Sequence, residues 1–341
     1  MLKSNSLVSE LMICLGIEST AHTYGVGIVQ SGRNGVEFLA NERDTFKPPA
    51  GWGIEPVKAA KHHRELKDKL LNEALARAGI GPECVDLVAW SQGPGFAPCL
   101  LVGKEAAFDF AEKYNKPIVG INHCIAHIEI GRHFAGGCDP VTLYVSGANT
   151  QVLAFAAGRY RCFGETMDIG IGNALDKFGR ESGMKFPAGP KVEQLAKTGK
   201  WIGMPYVVKG MDLSFSGITT EALKKLKAGQ KMEDVCFSFQ ESAFAMLAEV
   251  SERAMAHTEK EFLVLTGGVA ANQRLAGMLE IMCRERGAGF FPVPREYAGD
   301  NAAMIALTGI IAHNAGLKGS LKDDLKPSQR TDEVDARWVE G

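Results

Sequence analysis

The feature that most constrains this chain is a pattern that occurs twice. Met12-Ile13-Cys14-Leu15-Gly16-Ile17 reads as a buried strand, Glu18-Ser19-Thr20-Ala21-His22-Thr23-Tyr24 as a polar turn, and Gly25-Val26-Gly27-Ile28-Val29 as the returning strand. Val141-Thr142-Leu143-Tyr144-Val145, the turn Ser146-Gly147-Ala148-Asn149-Thr150 and Gln151-Val152-Leu153-Ala154-Phe155 repeat the sequence of elements. The repeat is weak letter by letter and informative by placement, because each hairpin opens a domain-sized half of 341 residues. Between and after the hairpins, strands alternate with helices: a helix from Pro56 to about Gly79, a strand at 85–90, a helix at 100–114 and a strand at 117–120. The expected class is a duplicated α/β fold. Its expected parts are an N-terminal extension at 1–11, lobes at 12–140 and 141–325, and a charged surface tail at 326–341.

One stretch carries metal-like chemistry. In Asn122-His123-Cys124-Ile125-Ala126-His127-Ile128-Glu129 the two histidines lie four apart, one helical turn, so both imidazoles can address one cation. Ile121, Ile125 and Ile128 fall on a neighbouring helix face that a core would cover. Two ligands make half a site, and two ordinary histidines are the plain alternative. The adjacent pair His62-His63 cannot readily share an ion and reads as helix surface plus one buried hydrogen bond.

Two glycine-bearing turns suit close backbone approach to a ligand: Ser91-Gln92-Gly93-Pro94-Gly95-Phe96, and Thr266-Gly267-Gly268-Val269-Ala270-Ala271-Asn272. The second leads from a buried strand into a helix at 271–286, a position suited to an anion or nucleotide. Tight strand–helix packing explains the same turn equally well. Asp300 reads most simply as the N-cap of the last helix.

Composition excludes some classes. A formal net charge of -2 argues against a free-standing electrostatic nucleic-acid binder, though not against a local patch or a partner's surface. Eight scattered cysteines without a Cys-x-x-Cys pair read as reduced thiols in a cytoplasmic protein. The start lacks the apolar core of a signal peptide, and no apolar run reaches membrane-spanning length, so no membrane is expected.

Three chemistries compete. A zinc protease needs His-Glu-x-x-His, but Cys124 stands at the general-base position and Glu129 points away from the face of 123 and 127. A nucleotide-dependent ATPase or phosphotransferase explains the hairpins and Gly267-Gly268, but does not call for histidines, since magnesium prefers oxygen. A metal-assisted acyl or carbamoyl transfer with a nucleotide leaving group uses all the features together.

The ordered motifs Leu15-Gly16-Ile17-Glu18-Ser19-Thr20, Ser91-Gln92-Gly93-Pro94-Gly95, the histidine stretch, Tyr144-Val145-Ser146-Gly147, Phe163-Gly164-Glu165-Thr166, Asp212-Leu213-Ser214-Phe215-Ser216-Gly217, Gly267-Gly268-Val269-Ala270-Ala271-Asn272 and Gly299-Asp300-Asn301 closely resemble the universal tRNA threonylcarbamoyladenosine transferase family, once described as O-sialoglycoprotein endopeptidases. The likeness runs from about Met12 to the tail at 330–333 and looks archaeal. It implies the duplicated actin/Hsp70/sugar-kinase (ASKHA) fold, two lobes around a nucleotide cleft. It implies transfer of threonylcarbamoyl from threonylcarbamoyl-AMP to N6 of the adenosine 3′ of the anticodon, in tRNAs reading ANN codons. The implied partners are tRNA and the KEOPS subunits: a small atypical kinase/ATPase, a small dimerisation subunit and a regulatory subunit.

Carried over by position, the implied ligands of one divalent ion, Fe2+ or Zn2+, are His123, His127, Tyr144 and Asp300. The implied nucleotide site, which ATP, ADP or AMP can occupy, comprises Tyr144, Val145, Ser146, Gly147, Ala148, Asp176, Gly189, Glu193 and Asn272. Glu18 is a weak candidate for a catalytic polar group, and the catalytic base is unassigned. Ala148, Ala188 and Ala302 stand where the family carries glycine. A methyl there costs stability wherever the backbone needs positive φ or close approach.

Overall fold

The protein is described by a computed structural model covering residues 11–33, 35–49 and 52–339. Most of the expected N-terminal extension, Gly51 of the loop before the first helix, and the last two residues of the tail lie outside the described residues. The elements in chain order are β1 (Met12–Glu18), β2 (Thr23–Gly32), β3 (Gly35–Thr45), α1 (Pro56–Ala78), β4 (Leu87–Gly93), α2 (Ala97–Tyr114), β5 (Ile118–Asn122) and α3 (His123–Phe134). There follow β6 (Val141–Val145), β7 (Thr150–Ala156), β8 (Arg159–Glu165), α4 (Ile171–Glu181), α5 (Gly189–Ala196), β9 (Val208–Lys209), β10 (Asp212–Leu213), α6 (Ser216–Lys227) and α7 (Met232–Thr258). The chain continues through β11 (Phe262–Thr266), α8 (Gln273–Arg286), β12 (Gly289–Pro292), α9 (Arg295–Ala298) and α10 (Ala302–Asn314).

The duplication is visible in the strand order. One five-stranded sheet runs β3-β2-β1-β4-β5 and the other β12-β11-β6-β7-β8. In each, the first three strands form an antiparallel meander and the last two extend it in parallel from the first strand. Substituting β6, β7, β8, β11 and β12 for β1 to β5 turns one order into the other.

The chain forms two compact units: the described parts of Met1–Lys47, Ile54–Ile130 and Asp300–Gly341, and of Pro48–Gly53 and Gly131–Gly299. They differ from the lobes drawn from the sequence, because residues from 300 onward pack with the first unit. The tail is also not a bare surface segment. Lys326 N donates to Gln92 O at 2.8 Å and Gly95 N to Pro327 O at 3.0 Å, while Thr331, Ala336 and Trp338 are buried.

The first unit shows why α10 belongs to it. Along β1 and β2, Leu15, Ile17, Tyr24, Val26 and Ile28 face one way, into a core shared with Ala59, Leu70, Cys99 and Val102 of α1 and α2. Among the alternate positions, Gly16, Gly25 and Gly27 face α10. A β-carbon on Gly16 would lie 2.3 Å from the Ala302 carbonyl oxygen, and one on Gly27 2.5 Å from the Ala303 nitrogen. On the helix side Gly309 stands over Ala89 and Cys14. Strand glycines here mark close backbone approach rather than flexibility. That contact fixes where α10 begins.

Local boundaries differ from expectation in instructive ways. Ile121 lies in β5, so α3 opens one residue before Cys124 and only Ile125 and Ile128 belong to its buried face. The segment 295–299, expected as loop, contains α9. A short 3-10 turn, Gly268–Ala271, separates β11 from α8. The glycines of 91–95 serve the chain itself: a β-carbon on Gly93 would meet the Lys326 carbonyl at 1.9 Å, and one on Gly95 the Thr20 carbonyl at 2.4 Å. Ala148 is not among the described non-glycine residues with positive φ, and Ala188 has φ −84°. The backbone at these two positions accepts a methyl without strain.

His63 is fully buried and its Nε2 donates to Ala21 O at 3.1 Å, while His62 pairs with Asp44 at 2.9 Å. Burial lowers the His63 imidazole from 6.5 to about 4, against the raising effect of that hydrogen bond. The folded protein keeps His63 neutral where the unfolded chain takes up a proton. Its contribution is therefore complete above pH 6.5 and is lost as pH falls toward 4, by up to roughly 3 kcal/mol. Urea unfolding of His63→Gln, which keeps a donor for Ala21, should show a flatter fall in stability across that window. Gly16→Ala should lower stability by about 3 kcal/mol, because the added methyl would run into the α10 backbone at both Ala302 and Ala306. Gly277→Ala, in α8 with nothing within 4 Å, should raise it by about 0.5–1 kcal/mol in the same measurement.

Candidate metal centre and nucleotide-facing surface

The helix α3 begins at its first histidine because Asn122 caps it: Asn122 Oδ1 accepts from Cys124 N at 2.9 Å and Ile125 N at 3.2 Å. The cap of α10 is Asn301, which accepts from Met304 N at 3.0 Å, so Asp300 is not the cap. Its carboxylate turns to the histidines instead. Asp300 Oδ1 lies 3.5 Å from His123 Nε2 and 3.4 Å from His127 Nε2. The two imidazoles meet edge to face, with centroids 4.8 Å apart.

Among the described residues, His123, His127 and Asp300 form a group whose ligand atoms all lie within 4.8 Å of one another. Donors held ~2.1 Å from one cation stand ~3.0–3.4 Å apart, so the two Asp300–histidine spacings fit an ion. The chemistry of the set fits as well: two nitrogens and one carboxylate suit iron or zinc.

The second layer fixes the proton positions. His123 Nδ1 donates to Glu18 Oε2 at 2.9 Å, and Glu18 Oε1 accepts from the Thr20 amide at 2.7 Å and the Thr20 hydroxyl at 2.5 Å. With the proton held on Nδ1, the lone pair of His123 sits on Nε2, facing Asp300. Glu18 is thus a positioning group at the end of β1. Burial lowers the His127 imidazole, which keeps it neutral and able to ligate. Burial would raise the Asp300 carboxyl, but the neighbouring histidines, His123 first and then His127, hold it well below the usual carboxylate range. Arg43, which carried no signal in the sequence, donates from Nη1 to the Asp300 carbonyl at 3.0 Å.

The protease reading loses its remaining support. Burial pushes the Cys124 thiol up, and the buried Glu129 accepts from the Trp338 indole at 2.8 Å.

Tyr144 belongs to β6 in the second unit, where it is buried between Gln151 of β7 and Thr266 of β11. The other implied nucleotide residues also lie in that unit, in two groups. The turn after β6 sits on the start of α4: Gly172 N donates to Ser146 O at 3.1 Å and Asn173 N to Gly147 O at 2.9 Å. Gly267, with φ 98°, passes so close to Val145 that a β-carbon would lie 2.2 Å from its carbonyl oxygen. In the second group Asp176 Oδ1 accepts from Ala188 N at 2.7 Å, beside Gly189. Glu193 Oε1 accepts from Gln273 N at 2.8 Å, and Asn272 Oδ1 from Arg274 N and Leu275 N at 2.9 and 3.1 Å. The first amides of α8, expected to await an anion, are therefore capped by side chains.

Comparison with known proteins follows the same line. The family model described as TsaD, tRNA N6-adenosine threonylcarbamoyltransferase, matches residues 37–307. A tRNA N6-adenosine threonylcarbamoyltransferase of Thermococcus kodakarensis is 56% identical over 330 residues, 96% of this chain and 100% of the relative. A probable bifunctional tRNA threonylcarbamoyladenosine biosynthesis protein of Methanobrevibacter smithii is 50% identical over 330 residues, 96% of this chain and 61% of the relative. Full-length HypF in its phosphate- and nucleotide-bound form superposes with TM-score 0.61 at 10% identity, covering 91% of this chain and 56% of that one. At that identity the likeness concerns the fold, which is the duplicated ASKHA architecture.

If Glu18 sets the His123 tautomer, Glu18→Ala should weaken zinc binding by about 10–100-fold in a chelator competition assay.

Proposed function

Because this chain belongs to the tRNA N6-adenosine threonylcarbamoyltransferase family, we propose that it transfers the threonylcarbamoyl group from threonylcarbamoyl-AMP to N6 of the adenosine 3′ of the anticodon in tRNAs reading ANN codons, with release of AMP. The observation that carries this reading is the donor set of two buried histidines, His123 and His127, with the half-buried Asp300, one tautomer being set by Glu18. A divalent iron or zinc ion bound there would supply a Lewis acid for a carbonyl oxygen. The protein's own part is to keep His127 neutral, to keep Asp300 ionised, and to bury the two histidine donors away from water.

The resemblance adds Tyr144 as a further ligand. It also assigns the nucleotide part of the donor to Val145, Ser146, Gly147, Ala148, Asp176, Gly189, Glu193 and Asn272. Their support in the structure is their grouping on one unit around the starts of α4, α5 and α8. In this reading Asp176 and Glu193 face ribose hydroxyls.

The proposed setting is the cytoplasm, in a KEOPS assembly with a small atypical kinase/ATPase, a small dimerisation subunit and a regulatory subunit. A net charge of -2 supports reliance on partners for tRNA affinity. Among the described residues no helix is long and apolar enough to cross a membrane. The test is a reconstituted transfer assay with threonylcarbamoyl-AMP, unmodified tRNA and the partner subunits. Modified adenosine should form with the wild type, and His123→Ala should form it at least about 100-fold more slowly. No product from the wild type sinks the function, and equal product from both sinks the role of the histidine.

A further inference from the structure

The tail reaches α3 at three points, and they bracket the two histidines. Asn122 Nδ2 donates to Gln329 Oε1 at 3.1 Å, so the amide that caps α3 is itself oriented by the tail. The buried Thr331 hydrogen-bonds the thiol of Cys124, the residue after His123. The Trp338 indole donates to Glu129, two residues beyond His127, at 2.8 Å, and both groups are buried. At 100° per residue, Cys124 lies roughly 80° to one side of the face that presents the histidines, and Glu129 roughly 140° round the other way.

We propose that residues 326–339 act as a clamp that sets the rotation of α3, and that Trp338 with Glu129 is the positioning pair that keeps His127 in register with His123 and Asp300. This rests on the metal reading above. The geometry makes the pair consequential. An imidazole donor stands ~6 Å from its helix axis, so a rotation of ~10° moves it ~1 Å, beyond the ~0.2 Å tolerance of a metal–ligand distance. A helix gripped at one angular position can roll, and one gripped at two well-separated positions cannot. The tail's main chain is seated before it arrives at α3, through Lys326 N on Gln92 O and Gly95 N on Pro327 O. The clamp therefore has an anchor on β4 and its following loop, independent of the helix it holds.

The experiment measures release of Co2+ from the full chain into excess chelator by the loss of its visible absorption, with thermal melting of the metal-free protein alongside. Trp338→Phe and Glu129→Leu, which remove the hydrogen bond, should release Co2+ about tenfold faster and alter the shape of the absorption band. Glu129→Gln, which keeps an oxygen to accept from the indole, should stay within about twofold of the wild type. The clamp is overturned if Trp338→Phe and Glu129→Leu melt earlier yet hold Co2+ with unchanged spectrum and rate, which is a purely structural tail. It is also overturned if Glu129→Gln is as impaired as Glu129→Leu, since the hydrogen bond would then be irrelevant. A wild type that binds no Co2+ removes the metal reading and the clamp together, an outcome separate from either variant result.

Discussion

The contact on which the rest depends is the approach of α10 to β1 and β2. Backbone meets backbone there because Gly16, Gly25 and Gly27 put nothing between the sheet and Ala302, Ala303 and Ala306. A helix seated against side chains can shift by repacking them; one seated against main chain has no such freedom. Asp300 stands two residues before that helix, tied by its carbonyl to Arg43. The same two strands carry Glu18 and Thr20 at their connecting turn. One rigid contact thus places the carboxylate of the candidate metal centre, and the strand beside it sets the tautomer of one of its histidines.

The duplication, the strand–helix alternation and the histidine pair were legible in the sequence because each has a local signature. Hairpins show as apolar runs around a polar turn, and a pair four apart on a helix shows in the spacing. What stayed hidden was non-local. Asp300 reads as a helix cap when only its neighbours are seen, and the structure gives that task to Asn301. The glycines of 91–95 read as ligand-binding because nothing local says that Lys326 and Thr20 pass over them. A signal for the α10 contact did exist: glycines at 16, 25 and 27 inside otherwise apolar strands mark a close approach.

The second unit teaches a related point about polar residues at helix starts. Asn272 and Glu193 cap α8 between them, and Asp176 holds the amide of Ala188 at the start of α5. The capping oxygens belong to the same residues that are proposed to face the nucleotide. The surface assigned to the nucleotide is thus built from groups already held in one rotamer, so less order has to be imposed when a ligand arrives.

The order of segments in the first unit also governs how the protein is made. Strands β1 to β5 leave the ribosome early, while the helix that covers one face of their sheet follows the whole of the second unit. During that interval the uncovered face presents Cys14, Gly16, Gly25, Gly27 and Ala89. The small side chains leave strand backbone open for α10 to close on, but Val119 shares the face, so apolar surface waits for that cover as well.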